Sequence, residues 1–495
     1  MLLDARDLEN DTVIETDVCI AGAGAAGITI ARELRASGLG VVVLESGDLD
    51  ASPETQDLYD GSADGLDYHL AESRLRYFGG STNHWRGWCR PLDPDDFQAR
   101  SWLPLSGWPI TREQLDPFYT RAQTLCQIDR LVFDAAFVAS RVGRPLLPLD
   151  PERVETVVYL LSPPTRFGTV YRSDLANANA VTTYLHANLL NIRLAPAGGA
   201  VDAFECATLS GLRFRVVASR YVLALGGIEN ARALLASNGQ EPAGVGNQND
   251  LVGRFFMEHP HYTMPGSGAF IFTATDTDLA LYTTTWIVNG VRSRSAVRLA
   301  PRLRAQEGLL GMGITLHPVD LDEAAAFMGE LDARRLRGLL RSGSPAQMLF
   351  AFPRAEQRPL MDSRVTLGSA RDALGMPRVN LHWRISPEDV ASTQRTLELL
   401  GDEIGRAGLG RLWMPVDVEG RFSPESTEGG SHHLGTTRMS ASAADGVVDS
   451  NCRVHDVSNL YIAGSSVFST GGFANPTLTV VALALRLADH LREGP

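Results

Sequence analysis

What the sequence withholds narrows the field first. Its five cysteines, Cys19, Cys89, Cys126, Cys206 and Cys452, are scattered and form no Cys-x-x-Cys pair, so neither a zinc site nor a disulfide framework is indicated. Cys19 sits in an apolar strand pattern and reads as a small core residue. The eleven histidines show no His-x-x-x-His or other metal spacing, and no metal is expected. No apolar run reaches roughly 18 residues, so no membrane-spanning helix is expected. The opening segment, Met1 to Thr12, holds four acids but no apolar run and no twin arginine, unlike a secretory signal. With its reduced thiols, the chain reads as cytoplasmic. Positive charge is also short: 45 basic residues against 58 acidic ones leave −13. Such a surface repels phosphate backbones and anionic membranes, which argues against a nucleic-acid partner. Internal repeats and low-complexity tracts are absent.

At 495 residues, 44% apolar and 21% charged, the chain is an ordinary globular composition of two or three domains. Asp17-Val-Cys-Ile-Ala21 reads as a buried strand, followed at once by Gly22-Ala-Gly-Ala-Ala-Gly27. A helix pattern runs on through Ile28, Ile30, Ala31 and Leu34 and stops by Gly38. A second strand, Gly40 to Leu44, ends on Glu45, which makes a βαβ unit. Gly22 permits the tight turn, Gly24 leaves room for a pyrophosphate, and Gly27 lets helix and strand approach. The helix N-terminus then faces the anion. Glu45 stands 18 residues beyond Gly27, where a carboxylate binds ribose hydroxyls and disfavours a 2′-phosphate. The fingerprint by itself serves FAD and NAD equally.

Residues 52–77 read as polar and irregular. A helix pattern starts near Thr111, and another strand enters a glycine turn at Tyr221 to Gly227. From about Tyr262 to Gly420 the alternation changes, and stretches such as Ser363 to Leu367 and Arg378 to Trp383 suggest a largely antiparallel sheet. Ser386 is placed to cap the helix after Pro387. A strand follows at Asn459 to Ala463, and a long helix runs from Pro476 to Leu491. The expected fold is α/β, with a Rossmann-like dinucleotide domain and an inserted antiparallel α+β substrate domain. The dinucleotide domain takes residues 1–130, 181–261 and 425–495, the connecting segment 131–180, and the substrate domain 262–424.

Three further segments are decisive: Gly79-Gly-Ser-Thr-Asn-His-Trp85, His432-His-Leu-Gly-Thr-Thr-Arg-Met439, and Gly464 through Ala474-Asn-Pro-Thr-Leu-Thr479. With the glycine fingerprint, they closely resemble the glucose–methanol–choline (GMC) oxidoreductases, in the branch of pyranose oxidases and bacterial sugar dehydrogenases. Val222 to Leu235, Leu251 to Pro260, and Asp362 to Trp383 resemble family segments too, so the likeness spans nearly the whole chain. It implies the GMC, p-hydroxybenzoate hydroxylase-like fold and FAD as cofactor. Gly79, Gly80 and Ser81 would form the loop beside the flavin ring, with Asn83 and His84 next to it. Gly464, Ser465, Pro476 and Thr477 would contact FAD from the C-terminal side. For His84 the resemblance leaves two readings, a covalent bond to the flavin or packing against its dimethylbenzene edge.

Alcohol oxidation needs a base for the hydroxyl proton, a hydride acceptor and a group that holds the oxygen. A neutral histidine suits the first role, and the resemblance assigns it to His432, with Asn475, 43 residues on, as its partner. His433 is the competing base, but Gly435 sets the motif register on His432. Asn475 could instead cap the final helix, whose N-terminal dipole would favour an anionic reduced flavin. His455 and His490 read as structural, and His259, before Pro260, is expected at a domain junction. Trp286, His317, Phe350, Phe352 and Trp413 are candidates for the substrate wall. The branch implies a sugar, glycoside or polyol oxidised at a secondary hydroxyl, with oxygen, a quinone or a protein as electron acceptor. Competing readings are oxidation of a larger natural-product alcohol, a non-redox lyase, a light-driven decarboxylase, the flavin subunit of an electron-transfer assembly, and a plain NAD dehydrogenase. Flavin bleaching by an alcohol, in darkness and without oxygen, separates the first from the lyase and the decarboxylase; a small co-purifying partner would mark the assembly, and a colourless protein the NAD enzyme.

Overall fold

The structure is a computed structural model and describes the chain apart from residues 263–267, 275–276, 321–333, 335–345, 425–426 and 494–495. Strand Thr12–Ala21 alternates covered and exposed residues in its first half and is buried throughout Val18–Ala21. The strand Val41–Leu44 is buried at every position. Continuous apolar strands of this kind are covered on both faces and pair in parallel. They do so in an eight-stranded sheet ordered Leu2–Asp4, Val181–Leu185, Val41–Leu44, Thr12–Ala21, Arg213–Leu223, Val201–Ala207, Asn188–Leu194. The pairings are parallel as far as Arg213–Leu223 and antiparallel beyond it.

Strand Arg213–Leu223 forks. Its first residues, Arg213–Val216, pair with Phe204–Ala207, whereas Tyr221–Leu223 lies parallel to Leu460–Ile462. One strand thus joins the early glycine turn to the late catalytic segment. Helices Ala25–Leu34, Arg112–Leu125 and Thr477–Glu493 pack against one another beside this sheet. Thr111 caps the second of them through a reciprocal pairing with Gln114.

The second sheet is ten-stranded and antiparallel. Its main path runs Gly410–Trp413, Ala269–Ala274, Ala346–Ala355, Met312–Pro318, Val291–Leu299, Val154–Leu161, Trp88–Cys89. The last two strands come from outside residues 262–424. Off this path, Pro260–His261 pairs with the end of Ala346–Ala355 and with Glu428–Gly429. Helix Pro387–Arg406 packs on Gly410–Trp413, and Ser386 caps it together with Asp389.

Two sequence expectations need correction. Residues 52–77 are not irregular throughout, because they contain helix Pro53–Asp57 and strand Gly61–Gly65. Strands Arg364–Arg371 and Pro377–Trp383 do form an antiparallel pair, but outside the large sheet: Gly61–Gly65 adds to them in parallel and makes a separate three-stranded sheet. The reason lies in burial. Val365, Val379, Leu381 and Trp383 are all buried, and Trp383 donates its Nε1–H to Gln357 Oε1 at 3.0 Å. Among the described residues no helix is long and apolar enough to cross a membrane.

Candidate active site

One connected cavity of about 870 Å³ runs from the early glycine turn to the late histidine segment. That is the upper part of the range for ligand sites, roughly 300–1,000 Å³. At one end Gly22 turns at φ +103°, with its α-carbon packed on the Ala224 carbonyl. Gly27 presses onto the Gly22 carbonyl, a contact that any side chain would block. Gly24 is different: a Cβ there would meet no protein atom within 4 Å, so the backbone opens directly on the cavity at the start of helix Ala25–Leu34. Glu45 is buried. Its two oxygens accept from Ala23 N–H at 3.0 Å and Gly47 N–H at 2.9 Å, and burial raises its pKa.

Beside this turn, charge is tightly paired. Glu229 receives Arg74 at 2.8 Å, Arg76 at 3.2 Å and Arg232 at 3.1 Å, and Arg232 also reaches Asp372 at 2.7 Å. Against the cost of burial, the guanidinium groups hold the Glu229 carboxyl down at about 2. Asn230 ties this corner to the C-terminal segment by donating to Ala463 O at 3.2 Å and Ser466 Oγ at 2.9 Å.

At the other end three loops converge. The His432 segment is clamped on one side by Leu434 and Met257, whose backbones exchange hydrogen bonds of 3.0 and 3.1 Å, and on the other by Ser465–Val467. Gly435, at φ +83°, packs its α-carbon against the Phe255 carbonyl, where no side chain fits. The fully buried Glu258 organises the backbone. It accepts N–H bonds from His259 and Gly430 at 3.0 Å and from His432 at 2.9 Å, plus the Tyr68 hydroxyl. Burial nonetheless pushes its carboxyl up to about 7.

The hydrogen bonds fix the tautomer of His432. The Gly471 and Gly472 carbonyls can only accept, so His259 Nε2 carries a proton towards them, at 3.3 and 3.0 Å. Burial lowers His259 to about 4 and His432 well below its ordinary value, so both rings are neutral at physiological pH. The bare Nδ1 of His259 lies 2.8 Å from His432 Nδ1, which must therefore carry the proton. His432 Nε2 keeps its lone pair and accepts from Asn475 Nδ2–H at 3.1 Å. Asn475 Oδ1 is buried with no hydrogen-bond partner among the described residues. A side-chain cap on helix Thr477–Glu493 would use that oxygen, so Asn475 is not the cap.

His433 points elsewhere, with Nε2 at 2.6 Å from the Tyr68 hydroxyl; since that hydroxyl is given to Glu258, the His433 nitrogen donates and is no base. His432, Asn475, Glu45, Gly22, Gly24, Gly80, Ser81, His84, Gly464, Ser465, Pro476 and Thr477 all line the one cavity. Gly27, Gly79 and Asn83 do not: they shape it from behind, Asn83 by donating to Phe78 O at 2.9 Å. Of the five wall candidates, His317 and Phe352 line the cavity and Trp286, Phe350 and Trp413 do not. Phe350 is one pleat further along, in an aromatic cluster with Phe270 and Trp413, and Trp286 donates to Ala280 O at 3.1 Å. His455 and His490 lie outside the lining, whereas His259 is the direct partner of His432.

Sequence reading missed Trp88, Arg86, His261 and Arg354, which complete the reaction end. Gly430 makes room there: a Cβ on it would fall 2.8 Å from His432 Nδ1 and 2.9 Å from His261. The signal for His261 was present in His259-Pro-His261, a second histidine two residues on, in strand Pro260–His261.

The open Gly24 backbone, the buried Glu45 and the unpartnered Asn475 oxygen at the far end together fit a long dinucleotide whose ring reaches His432. Known proteins agree. A GMC oxidoreductase family model matches residues 359–484 and a FAD dependent oxidoreductase model matches residues 17–236. A 2-methyl-1,2-propanediol dehydrogenase of Mycolicibacterium austroafricanum is 24% identical over 96% of this chain and 95% of its own. The fructose dehydrogenase large subunit of Gluconobacter japonicus is 24% identical over 98% and 99%. A 6'''-hydroxyparomomycin C oxidase of Streptomyces lividus is 28% identical over 96% and 92%. Among solved structures, a formate oxidase of Aspergillus oryzae superposes with TM-score 0.57 at 16% identity over 98% of this chain and 99% of that one. A pyridoxine 4-oxidase of Mesorbium loti does so with TM-score 0.59 at 16% identity over 96% and 98%. Fold, cavity and relatives lead to one assignment: the chain is a FAD-dependent enzyme whose residues 359–484 match the GMC oxidoreductase family.

Proposed function

We propose that this enzyme oxidises a secondary hydroxyl of a sugar, glycoside or polyol to a carbonyl, with His432 as the base and Asn475 holding the alcohol oxygen. The observation that carries this reading is the fixed tautomer of His432, which leaves an Nε2 lone pair beside an amide N–H in the cavity. A hydroxyl entering between the two satisfies both, giving its proton to Nε2 and accepting from Asn475 Nδ2–H. Bound FAD supplies the two-electron acceptor for the carbinol hydride. As His432 gains its second proton, Nδ1–H stays on His259, which orients the ring as the third member of a triad does. Glu258 holds the backbone of both histidines and of Gly430, so the ring pair cannot drift apart. The relatives that resemble the chain over most of its length are named for diol, fructose and aminoglycoside oxidation, which supports a polyhydroxylated substrate. Anaerobic addition of polyols and sugars to the holoenzyme should bleach the flavin in darkness, and His432→Ala should slow that bleaching by about two to four powers of ten. Near-normal bleaching in the variant would remove His432 from the role.

A further inference from the structure

We infer that the alcohol substrate carries a carboxylate and that Arg354, aided by Arg86, binds it. This deepens the alcohol-oxidation reading and rests on it. Arg354 lies in strand Ala346–Ala355 opposite His261, whose ring centroid is 6.1 Å from that of His432. It is 7% exposed and lines the cavity. Its guanidinium carbon lies 4.6 Å from the Trp88 ring centre and 4.3 Å from that of Phe352, so two aromatic rings hold the group. Nη1 donates to Thr315 Oγ1 at 3.0 Å, and that hydroxyl contacts His317 Nε2 at 3.0 Å.

Among the described residues Arg354 has no carboxylate partner, and burial, with Arg86 nearby, lowers its pKa. A guanidinium carries five N–H donors in a planar fork. Those not given to Thr315 have no acceptor among the described residues, and none is sealed in the core. Arg86, exposed and also on the lining, has no ion pair among the described residues either. The histidines around them, His261, His317 and His432, are all held neutral by burial, so they offset nothing. Glu428 is the nearby acid, but it pairs with the opposite flank of His261 from Arg354.

A buried cation without a counter-ion is costly unless a ligand supplies the charge. A pre-oriented fork between two aromatic rings fits a carboxylate through two parallel bonds. The chain contains no lysine, so every fixed side-chain cation in it has this geometry. Hydroxy acids and sugar acids combine the required carboxylate with an oxidisable hydroxyl. The carboxylate makes and breaks no covalent bond, and only the carbinol C–H and O–H bonds are broken. Cationic amino sugars would be repelled.

The test uses the holoenzyme without oxygen and a panel of hydroxy acids and sugar acids, each beside its neutral amide. Acids should half-saturate flavin reduction at concentrations about tenfold or more below their amides. Arg354→Met should raise the half-saturating concentration for acids about 10- to 100-fold more than it does for their amides, the effect of losing a charged hydrogen-bonded pair. Arg354→Lys should recover part of the loss. Arg86→Gln, at an exposed position, should give a smaller, salt-sensitive increase. Independently of turnover, cyclohexanecarboxylate should perturb the flavin absorbance of the parent enzyme but not of Arg354→Met, and cyclohexanecarboxamide should perturb neither. Equal behaviour of acids and amides in both readouts overturns the inference while leaving alcohol oxidation standing. Carboxylate-induced perturbation with no bleaching by any alcohol supports the anion site and overturns the oxidation reading.

Discussion

The two ends of the cavity treat charge in opposite ways. At the nucleotide end, Arg74, Arg76 and Arg232 close on Glu229 and Asp372, and every formal charge in the cluster has a protein partner. At the reaction end, among the described residues, His432 offers a bare nitrogen, Asn475 an unpartnered oxygen, and Arg354 a fork without a carboxylate. The side-chain charges of the first end are paired by the fold alone. The second is left for something else to complete. Two buried carboxyls make the same point, since Glu229 among guanidinium groups is held at about 2, while Glu258, bound only by uncharged donors, is raised to about 7.

If that contrast is right, the ends should fail differently. His432→Ala should cost the flavin-reduction rate two to four powers of ten yet shift the urea midpoint little, because it removes a base and not a structural charge. Glu229→Gln should do the reverse. It strips the buried arginines of their counter-ion, and about 3–5 kcal/mol of stability should vanish from equilibrium unfolding. Because the folded pKa of Glu229 is depressed below 4.5, its contribution is complete above that pH and disappears as pH falls through about 2. Next in size, His259→Leu removes the acceptor that sets the His432 tautomer. A kcat loss of about 10- to 100-fold is expected, with a displaced pH profile and partial rescue by His259→Asn, whose amide oxygen can still accept. A variant with unchanged kcat and pH profile would reduce His259 to packing. The smallest effect is on the acid limb of flavin reduction. With His432 depressed by burial, that limb should fall below the ordinary histidine value of about 6.5 and move upward in any variant that opens the site to water.

The nucleotide end was the more legible from sequence, for a physical reason. Its determinants are local: a strand, three glycines with distinct steric duties and an acid at a fixed offset. Backbone chemistry writes such features in consecutive residues. The catalytic segment was legible through motif likeness, and Gly435 distinguished His432 from His433 because only glycine meets the Phe255 carbonyl there. The substrate wall was not legible. Arg354, His261 and Trp88 meet only through pairings between strands far apart in the chain, and no short window contains them. Aromatic residues chosen by type alone fared unevenly, since Phe350 and Phe352 share a face yet only one reaches the cavity. His259 was placed only at a domain junction, and its partnership with His432 is set by the Gly471 and Gly472 carbonyls, more than 200 residues away.

The forked strand Arg213–Leu223 has a consequence for the order in which the enzyme comes into being. The Tyr221–Leu223 end of one of its edges stays bare until residues 460–462 have been synthesised, and His432 cannot be clamped before Ser465–Val467 exist. Contacts across so many residues close slowly. The nascent polypeptide therefore has no working flavin pocket, and reactive redox chemistry begins only once translation has passed the last of these segments.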